Sequence, residues 1–503
     1  MTTERELKMI ADADTALPDL TGVTPGVVCG PPSTQEMTAE YYDTPTLSLA
    51  RWGASLRWRD EHPKPIWTVK LPASSDGSVM SRHEVTFAGP RTKVPPRATE
   101  LVRVFRRGQP LEAVATLGTR RTETALLIDG VAIASVCDDL VTGDRIDGET
   151  LSFREIEVEV TPGAETDATL RAITKRLRKA GCAVEKPVLA KVVRVLGEAA
   201  QAPADVVVRE LTSRASVVDL VTSTLSGSLD QLIRRDPLVR GGNEPEDLHQ
   251  FRVAARRLRS DLGTFAPILD SAWTRPRRDE LRWLGNEAGA VRDADVLRLR
   301  LVRRFAALPA SDAAASVLLL SRLEHARSRA RTRLLHSMST DRYDALVDAL
   351  ISATHEPRFV ADDPKAASRQ ARRIVVELVR NRWRRLKQAG DALDADSPDE
   401  DLHEVRILAK RCRYAAEAAA KVFGRDARGF SRAIAELQEV LGDHQDTVVA
   451  EAWLHAAAKA VTSAGVLAGL AIAEERAERL EHRRNFSVVW AAARDPELRA
   501  WLK

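Results

Sequence analysis

The sequence predicts an α+β protein of two domains: an N-terminal eight-stranded antiparallel β tunnel or barrel, then an all-α bundle built as an internal two-fold repeat. Three observations carry that expectation. Hydropathy alternates at period two up to about residue 195, Ala, Leu and Arg then recur at helical spacing, and one helical motif occurs twice. A chain of 503 residues with 44% hydrophobic content exceeds what a single core ordinarily organises. The expected division is 1–198 for the strand domain, 199–206 for a linker in the Ala/Pro stretch EAAQAPAD, and 207–503 for the helical domain.

Composition narrows the class. No run approaches the roughly 18–20 apolar residues that span a bilayer, and MTTERELK places charge where a signal peptide needs apolar residues, so a cytoplasmic location is expected. Cys29, Cys137, Cys182 and Cys412 lie far apart without a CxxC pair, which argues against a zinc site or a disulfide framework. The net charge of +4 is small although 29% of residues are charged, so the placement of each sign matters more than the sum.

The strands are read from 55–59, 66–71, 124–129 and 153–160, with turn signals at Asp76-Gly77 and Asp129-Gly130. Period two puts Glu4, Glu6 and Lys8 on one face of the first strand, and Glu155, Glu157 and Glu159 on one face of another. Several strands carry such a charged face with both signs present, which makes a curled sheet with a polar lumen plausible. Acids sharing a lumen repel one another unless cations lie between them, and carboxylate oxygens suit Mg²⁺ or Mn²⁺. The same lumen is expected to receive Arg57, Arg59, Lys70, Arg82, Glu84, Arg103, Arg121 and Lys191. Bases beside metal-holding acids are what a triphosphate needs.

Across residues 1–200 the sequence resembles the CYTH superfamily of triphosphate tunnel enzymes. The matching pieces run in family order: Glu4 to Lys8, Tyr42-Asp43-Thr44-Pro45, Leu49 to Arg59, Trp67 to Pro72, Arg82-His83-Glu84, Arg120-Arg121, Asp138-Asp139, Phe153 to Glu159 and Lys191. The resemblance implies an eight-stranded tunnel binding a triphosphate. By carry-over, Glu4, Glu6, Glu157 and Glu159 hold metal, with Glu155 and Asp138 as further holders. Lys8, Arg57, Arg59, Lys70, Arg82, Arg121 and Lys191 hold phosphate, and Lys8 and Glu157 are the expected catalytic pair, Lys8 orienting the attacking water.

In the helical half, Leu248 to Arg259 matches Leu402 to Arg413 at a constant offset of 154. His249, Arg252, Arg256 and Arg259 form one helical stripe, and His403, Arg406, Lys410 and Arg413 repeat it. Further on, Leu284-Gly285 through Asp295 is echoed by Leu441-Gly442 through Asp446, and the acidic segment Asp391–Asp401 reads as a loop between sub-bundles. Two basic helices related by a pseudo-twofold axis form a groove suited to a flexible polyanion. This half resembles the CHAD domain, which often follows a CYTH domain and whose implied role is polyphosphate binding. The residues carried over are His249, Arg252, Arg256, Arg257, Arg259, His403, Arg406, Lys410, Arg411 and Arg413, with Asp293 and Asp446 organising the bundle by pairing with arginines.

The expected function is metal-dependent hydrolysis of inorganic triphosphate or short polyphosphate in the tunnel, with polyphosphate held by the helical domain and association with polyphosphate granules. The alternatives are a non-catalytic polyphosphate binder, or a tunnel enzyme acting on an organic triphosphate, as a thiamine triphosphatase or an adenylate cyclase does. Nucleic acid is disfavoured because no aromatic platform is interleaved with the arginines.

Overall fold

The computed structural model describes all residues except 1, 61–64, 77–78, 147, 161–165, 185–186, 243, 307–312, 361–364 and 366, and the side chains of 2–5, 73–76, 79–81 and 166 also lie outside the description. The chain forms two compact units, Met1–Ala204 with Asp236–Gly242 and Asp205–Arg235 with Asn243–Lys503.

The first unit contains β1 (Thr2–Ile10), β2 (Val28–Cys29), β3 (Ser33–Asp43), β4 (Ser55–Arg59), β5 (Ile66–Asp76), β6 (Val79–Ala88), β7 (Glu112–Ile128), β8 (Val131–Arg145), β9 (Thr150–Val160) and β10 (Ala183–Val184). Its helices are α1 (Ser48–Arg51), α2 (Pro96–Leu101), α3 (Arg103–Arg106), α4 (Thr166–Lys179), α5 (Lys191–Leu196) and α6 (Glu198–Gln201). The sheet has ten strands rather than the expected eight, in the order β10-β1-β6-β5-β4-β3-β7-β8-β9 with β2 beside β7. The two additional strands are two residues each. Residues 2–7 of β1 pair with β6 and residues 6–10 pair with β9, so the order of the eight long strands returns to its start. Asp76-Gly77 falls partly outside the described residues, but Asp129 and Gly130 have φ of 51° and 80°, the two left-handed residues of a tight turn joining β7 to β8.

Alternation along β1 and β9 fixes what faces inward. Leu7, Met9, Ile156 and Val158 point outward into a core closed by Leu170, Ile173 and Leu177 of α4. Each such buried side chain contributes about 1.5–3 kcal/mol. The intervening Glu6, Lys8, Glu155 and Glu157 must then point inward, and the register sets Glu6 opposite Glu159 and Lys8 opposite Glu157. A second core of Ala115, Leu117 and Val141 receives Val192, Val195 and Leu196 of α5, and this seats Lys191, the first residue of that helix, at the lumen. The Tyr42-Asp43-Thr44-Pro45 motif is structural. Buried Asp43 accepts N–H bonds from Thr44 (2.7 Å), Leu49 (2.8 Å) and Ala50 (2.9 Å), fastening the end of β3 to α1.

The second unit is helical: α7 (Val217–Gly241, of which the stretch from Asp236 belongs to the first unit), α8 (Pro245–Phe265), α9 (Ser271–Ala306), α10 (Ala313–Met338), α11 (Asp341–His355), α12 (Ala371–Asp391), α13 (Asp399–Phe423), α14 (Arg425–Ala460) and α15 (Gly465–Ala493). The α8–α9 hairpin and the α13–α14 hairpin are the two copies of the repeat, and α8 packs on α13. A core of Leu297, Leu301, Leu319, Leu323, Leu454 and Leu467 joins α9, α10, α14 and α15. The acidic loop expected over Asp391–Asp401 is shorter: residues 392–398 join the two helices, Asp391 ends α12, and Asp399 to Asp401 open α13. No helix among the described residues is long and apolar enough to cross a membrane.

The seat of α5 depends on Gly143 of β8, where a Cβ would lie 2.3 Å from Val195 Cγ2. Gly143→Ala is expected to cost about 1–3 kcal/mol by overpacking. Hydrogen exchange should show lost protection in α5, and adding Val195→Ala should restore it.

Candidate functional site

Eleven of the sequence-expected residues meet in one cavity of about 200 Å³ inside the strand ring: Glu6, Lys8, Arg57, Arg59, Lys70, Arg82, Glu84, Arg121, Glu157, Glu159 and Lys191. The lumen thus carries seven bases against four acids. The side chain of Glu4 lies outside the described residues.

The pairing inside the lumen is dense. Lys8 Nζ donates to Glu155 Oε1 and Glu157 Oε1, both at 2.6 Å. Lys191 Nζ lies 2.7 Å from Asp139 Oδ2, 2.7 Å from Glu157 Oε1 and 3.2 Å from Glu155 Oε1. Arg121 grips Asp139 through Nε (2.8 Å) and Nη2 (2.7 Å) and also donates to Glu157. Lys70 pairs with Glu84 at 2.8 Å, and Arg82 approaches Glu6 to 3.9 Å. Burial would push the Glu157 carboxyl up, but Lys191, Lys8 and Arg121 outweigh it and hold the group well below the usual carboxylate range. Burial would likewise lower Lys8, yet Glu157, Glu6 and Glu155 keep its ammonium above the ordinary lysine range. Lys8 is therefore a fixed cationic donor rather than a base. Glu155 is fully buried, and there burial prevails over Lys8 and Lys191 and raises it.

Glu6, Glu157 and Glu159 form a triplet whose nearest oxygens all lie within 4.8 Å of one another. At that spacing each pair of charges repels by roughly 3 kcal/mol at an effective dielectric of about 20. Glu6 Oε1 is buried with no hydrogen-bond partner. An all-carboxylate donor set with an orphaned oxygen fits a hard divalent cation.

Three expectations are corrected. Asp138 does not reach the lumen: on β8 it faces outward, bound at 2.8 Å through both oxygens by Arg154, whose remaining N–H groups hold the carbonyls of Asp12, Ala13 and Thr15. Its neighbour Asp139 faces inward instead, in register with Arg121 and Glu155. Arg103 lies on α3 and pairs with Glu100 at 3.3 Å, away from the cavity. Glu155 sits behind Lys8 and Lys191 and is not one of the triplet. Sequence reasoning also missed Tyr41 and Ser55, which line the cavity. Tyr41 lies opposite Arg57 in the β3–β4 register, the signal that would have found it. Burial would raise its hydroxyl, but Arg57, with Lys191 and Lys70, brings it below the ordinary tyrosine value.

In the helical unit, Arg252 and Arg256 of α8 face Arg406 and Lys410 of α13. Burial lowers Lys410 first, and Arg406, Arg256, Arg252 and Arg413 lower it further, to about 7. Arg252 reaches Asp293 at 3.4 Å, and Arg406 has Asp446 as its counter-charge. The second helices register at an offset of 153 rather than as the sequence echo suggested: Gly289 with Gly442, Arg292 with Gln445, and Asp293 with Asp446. A Cβ at Gly289 would lie 3.5 Å from Arg252 Nε and one at Gly442 3.8 Å from Arg406 Nε, so the paired glycines make room for paired arginines. His403 bonds Gln445 at 2.6 Å, while burial and Arg292 lower His249. Arg256 donates to the Tyr414 hydroxyl at 3.0 Å. Arg257 lies apart from this group, paired with Glu417 at 2.5 Å, and Arg413 shares that carboxylate at 3.5 Å. Arg259 and Arg411 belong to a separate cluster.

The CYTH domain model matches residues 2–186 and the CHAD domain model residues 223–455. Two uncharacterized proteins of Mycobacterium tuberculosis, from strains CDC 1551 and ATCC 25618, are 32% and 31% identical over 491 residues, spanning 92% of this chain and 90% of each relative. Among solved structures, the CHAD domain of Ricinus communis is 25% identical over 59% of this chain and 97% of its own, with a TM-score of 0.48. A Hippeastrum protein described as having a dominant triphosphatase activity is 18% identical over 38% of this chain and 95% of its own, with a TM-score of 0.26. CYTH domains are metal-dependent tunnel enzymes that act on triphosphate substrates. On the domain matches, and on relatives aligned along nearly its whole length, this chain belongs to the proteins that join a CYTH domain to a CHAD domain.

Proposed function

We propose that the strand unit hydrolyses inorganic triphosphate or short polyphosphate with Mg²⁺ or Mn²⁺, and that the helical unit binds polyphosphate. The observation that carries this reading is the meeting of seven bases and the Glu6–Glu157–Glu159 triplet in one lumen of about 200 Å³. Glu6, Glu157 and Glu159 would hold the metal. A bound divalent ion would neutralise phosphate oxygens and make a water more acidic. Arg57, Arg59, Lys70 and Arg82 supply donors to the phosphate oxygens from β4, β5 and β6. Asp139 keeps Arg121 and Lys191 aimed inward, and Lys8, cationic between Glu155 and Glu157, donates to the oxygen or water beside it. Such a reaction proceeds by positioning and charge stabilisation, without a covalent nucleophile.

Two alternatives fare less well on specific observations. A pure polyanion binder gains nothing from three carboxylates repelling its ligand. An organic triphosphate calls for a platform for its ring, and Tyr41 is the lone aromatic lining the cavity among the described residues.

Phosphate release from inorganic triphosphate with Mg²⁺ or Mn²⁺ should be abolished by Glu157→Gln, and an active Glu157→Gln protein would overturn the assignment. Independently of turnover, Mn²⁺ binding followed by electron paramagnetic resonance should weaken by at least about tenfold in Glu159→Gln, and unchanged binding would remove the triplet from the metal site. In the helical unit, Lys410 at about 7 is largely neutral at pH 8 and largely charged at pH 6. A polyanion favours the charged form, so polyphosphate should bind about tenfold more tightly at pH 6 than at pH 8 through this group. Lys410→Arg should flatten that part of the profile.

A further inference from the structure

The arginines of the repeat do not form one continuous stripe. Arg252, Arg256, Arg406 and Lys410 make one group whose Arg252 and Arg406 have Asp293 and Asp446 as counter-charges. A second group gathers one to two turns further along α8, around Gly263. Arg278 of α9 packs there, with Nη2 3.3 Å from where a Gly263 Cβ would lie, and its Nε is buried with no hydrogen-bond partner. Arg382 of α12 donates to the Gly263 carbonyl at 2.5 Å. Arg259 stands one turn before Gly263 on the same face of α8.

The charges acting on this group are almost all of one sign. Burial lowers Arg259 first, then Arg282, Arg278, Arg411 and Arg256 lower it further. Burial, then Arg411, Arg385 and Arg278, do the same to Arg382. Arg282, one of the cations acting on Arg259, pairs with Asp279 at 3.1 Å where both are exposed. Arg278 and Arg382 thus pack on Gly263 beside Arg259, and Arg411 of α13 is near enough to act on both Arg259 and Arg382, so like charges from four helices gather there and repel one another. A multivalent anion is what relieves that repulsion.

We infer that the arginines over Gly263, namely Arg259, Arg278, Arg382 and Arg411, form a second phosphate-chain subsite, so that the helical unit prefers chains long enough to occupy both groups. This rests on the reading that the helical unit binds polyphosphate. Arg256 acts on both Lys410 and Arg259, so it links the two subsites. From Arg252 to Arg259 the helix rises about 10 Å, further than the phosphorus atoms of a triphosphate reach.

The full chain tests this with three proteins: wild type, Arg278→Gln/Arg411→Gln, and Arg329→Gln/Arg333→Gln, which removes the same charge from exposed positions on α10. Binding of a labelled long-chain polyphosphate should weaken about tenfold in the first variant. Its dependence of log affinity on log salt should flatten by about 1.4, two contacts at roughly 0.7 each. The α10 variant should behave as wild type on the long chain, and tripolyphosphate should bind wild type and the first variant alike. Equal losses in both variants, or an unchanged salt slope in the first, would overturn the second subsite. Absence of long-chain binding by wild type would overturn the underlying reading instead. Because Arg278 packs on Gly263, the exposed single variant Arg411→Gln and a thermal melt accompany the series, and a weaker long-chain affinity with an unshifted melt is required of it.

Discussion

A buried charge cannot be left alone inside a barrel, and the lumen of the strand unit is arranged around that constraint. Glu155, Glu157 and Asp139 are buried, and each is tolerable because Lys8, Lys191 or Arg121 stands within hydrogen-bond distance. The arrangement also works in reverse. Lys191 and Arg121 stay aimed inward because Asp139 holds both, so the acids that offset the bases also keep them in position. Glu6 Oε1 and Arg57 Nε are buried without hydrogen-bond partners, one suited to a cation and the other to an anion.

That balance could not survive without the outer core. The same alternation that turns Glu6, Lys8 and Glu157 inward turns Leu7, Met9, Ile156 and Val158 outward beneath α4. A slip of one residue in β1 would exchange the two sets, burying charge under the helix and filling the lumen with hydrocarbon. The charged interior is thus specified by apolar packing on the opposite side of the strands.

Much of this was legible in the sequence because period two is a strict rule wherever a strand is regular. Counting alone puts Glu6 and Lys8 on one face and Glu157 and Glu159 on another, and the structure turns both faces into the lumen. The errors arose where counting lacked an anchor. Asp138 and Asp139 are adjacent acids, and only the pairing of β8 with β7 and β9 decides which one looks inward. Arg103, expected in the lumen, belongs to a helical segment instead. In the helical half, the stripe from His249 to Arg259 suggested one binding face, whereas Arg257 is drawn to Glu417 and Arg259 lies among the arginines of other helices. Arg278 and Arg382 carry no local motif, and they become conspicuous only when tertiary packing brings them to Gly263.

The return of the strand order to β1 carries a consequence for how the protein is made. Residues 6–10 bond to residues 155–159, so the first strand waits for a partner that emerges from the ribosome about 150 residues later. Until then β1 has one sheet edge to offer, and Glu6 has neither Glu157 nor Glu159 beside it. The Glu6–Glu157–Glu159 triplet is therefore absent from every shorter nascent chain and arises in the same event that joins β9 to β1. The acids meet only once the ring is whole.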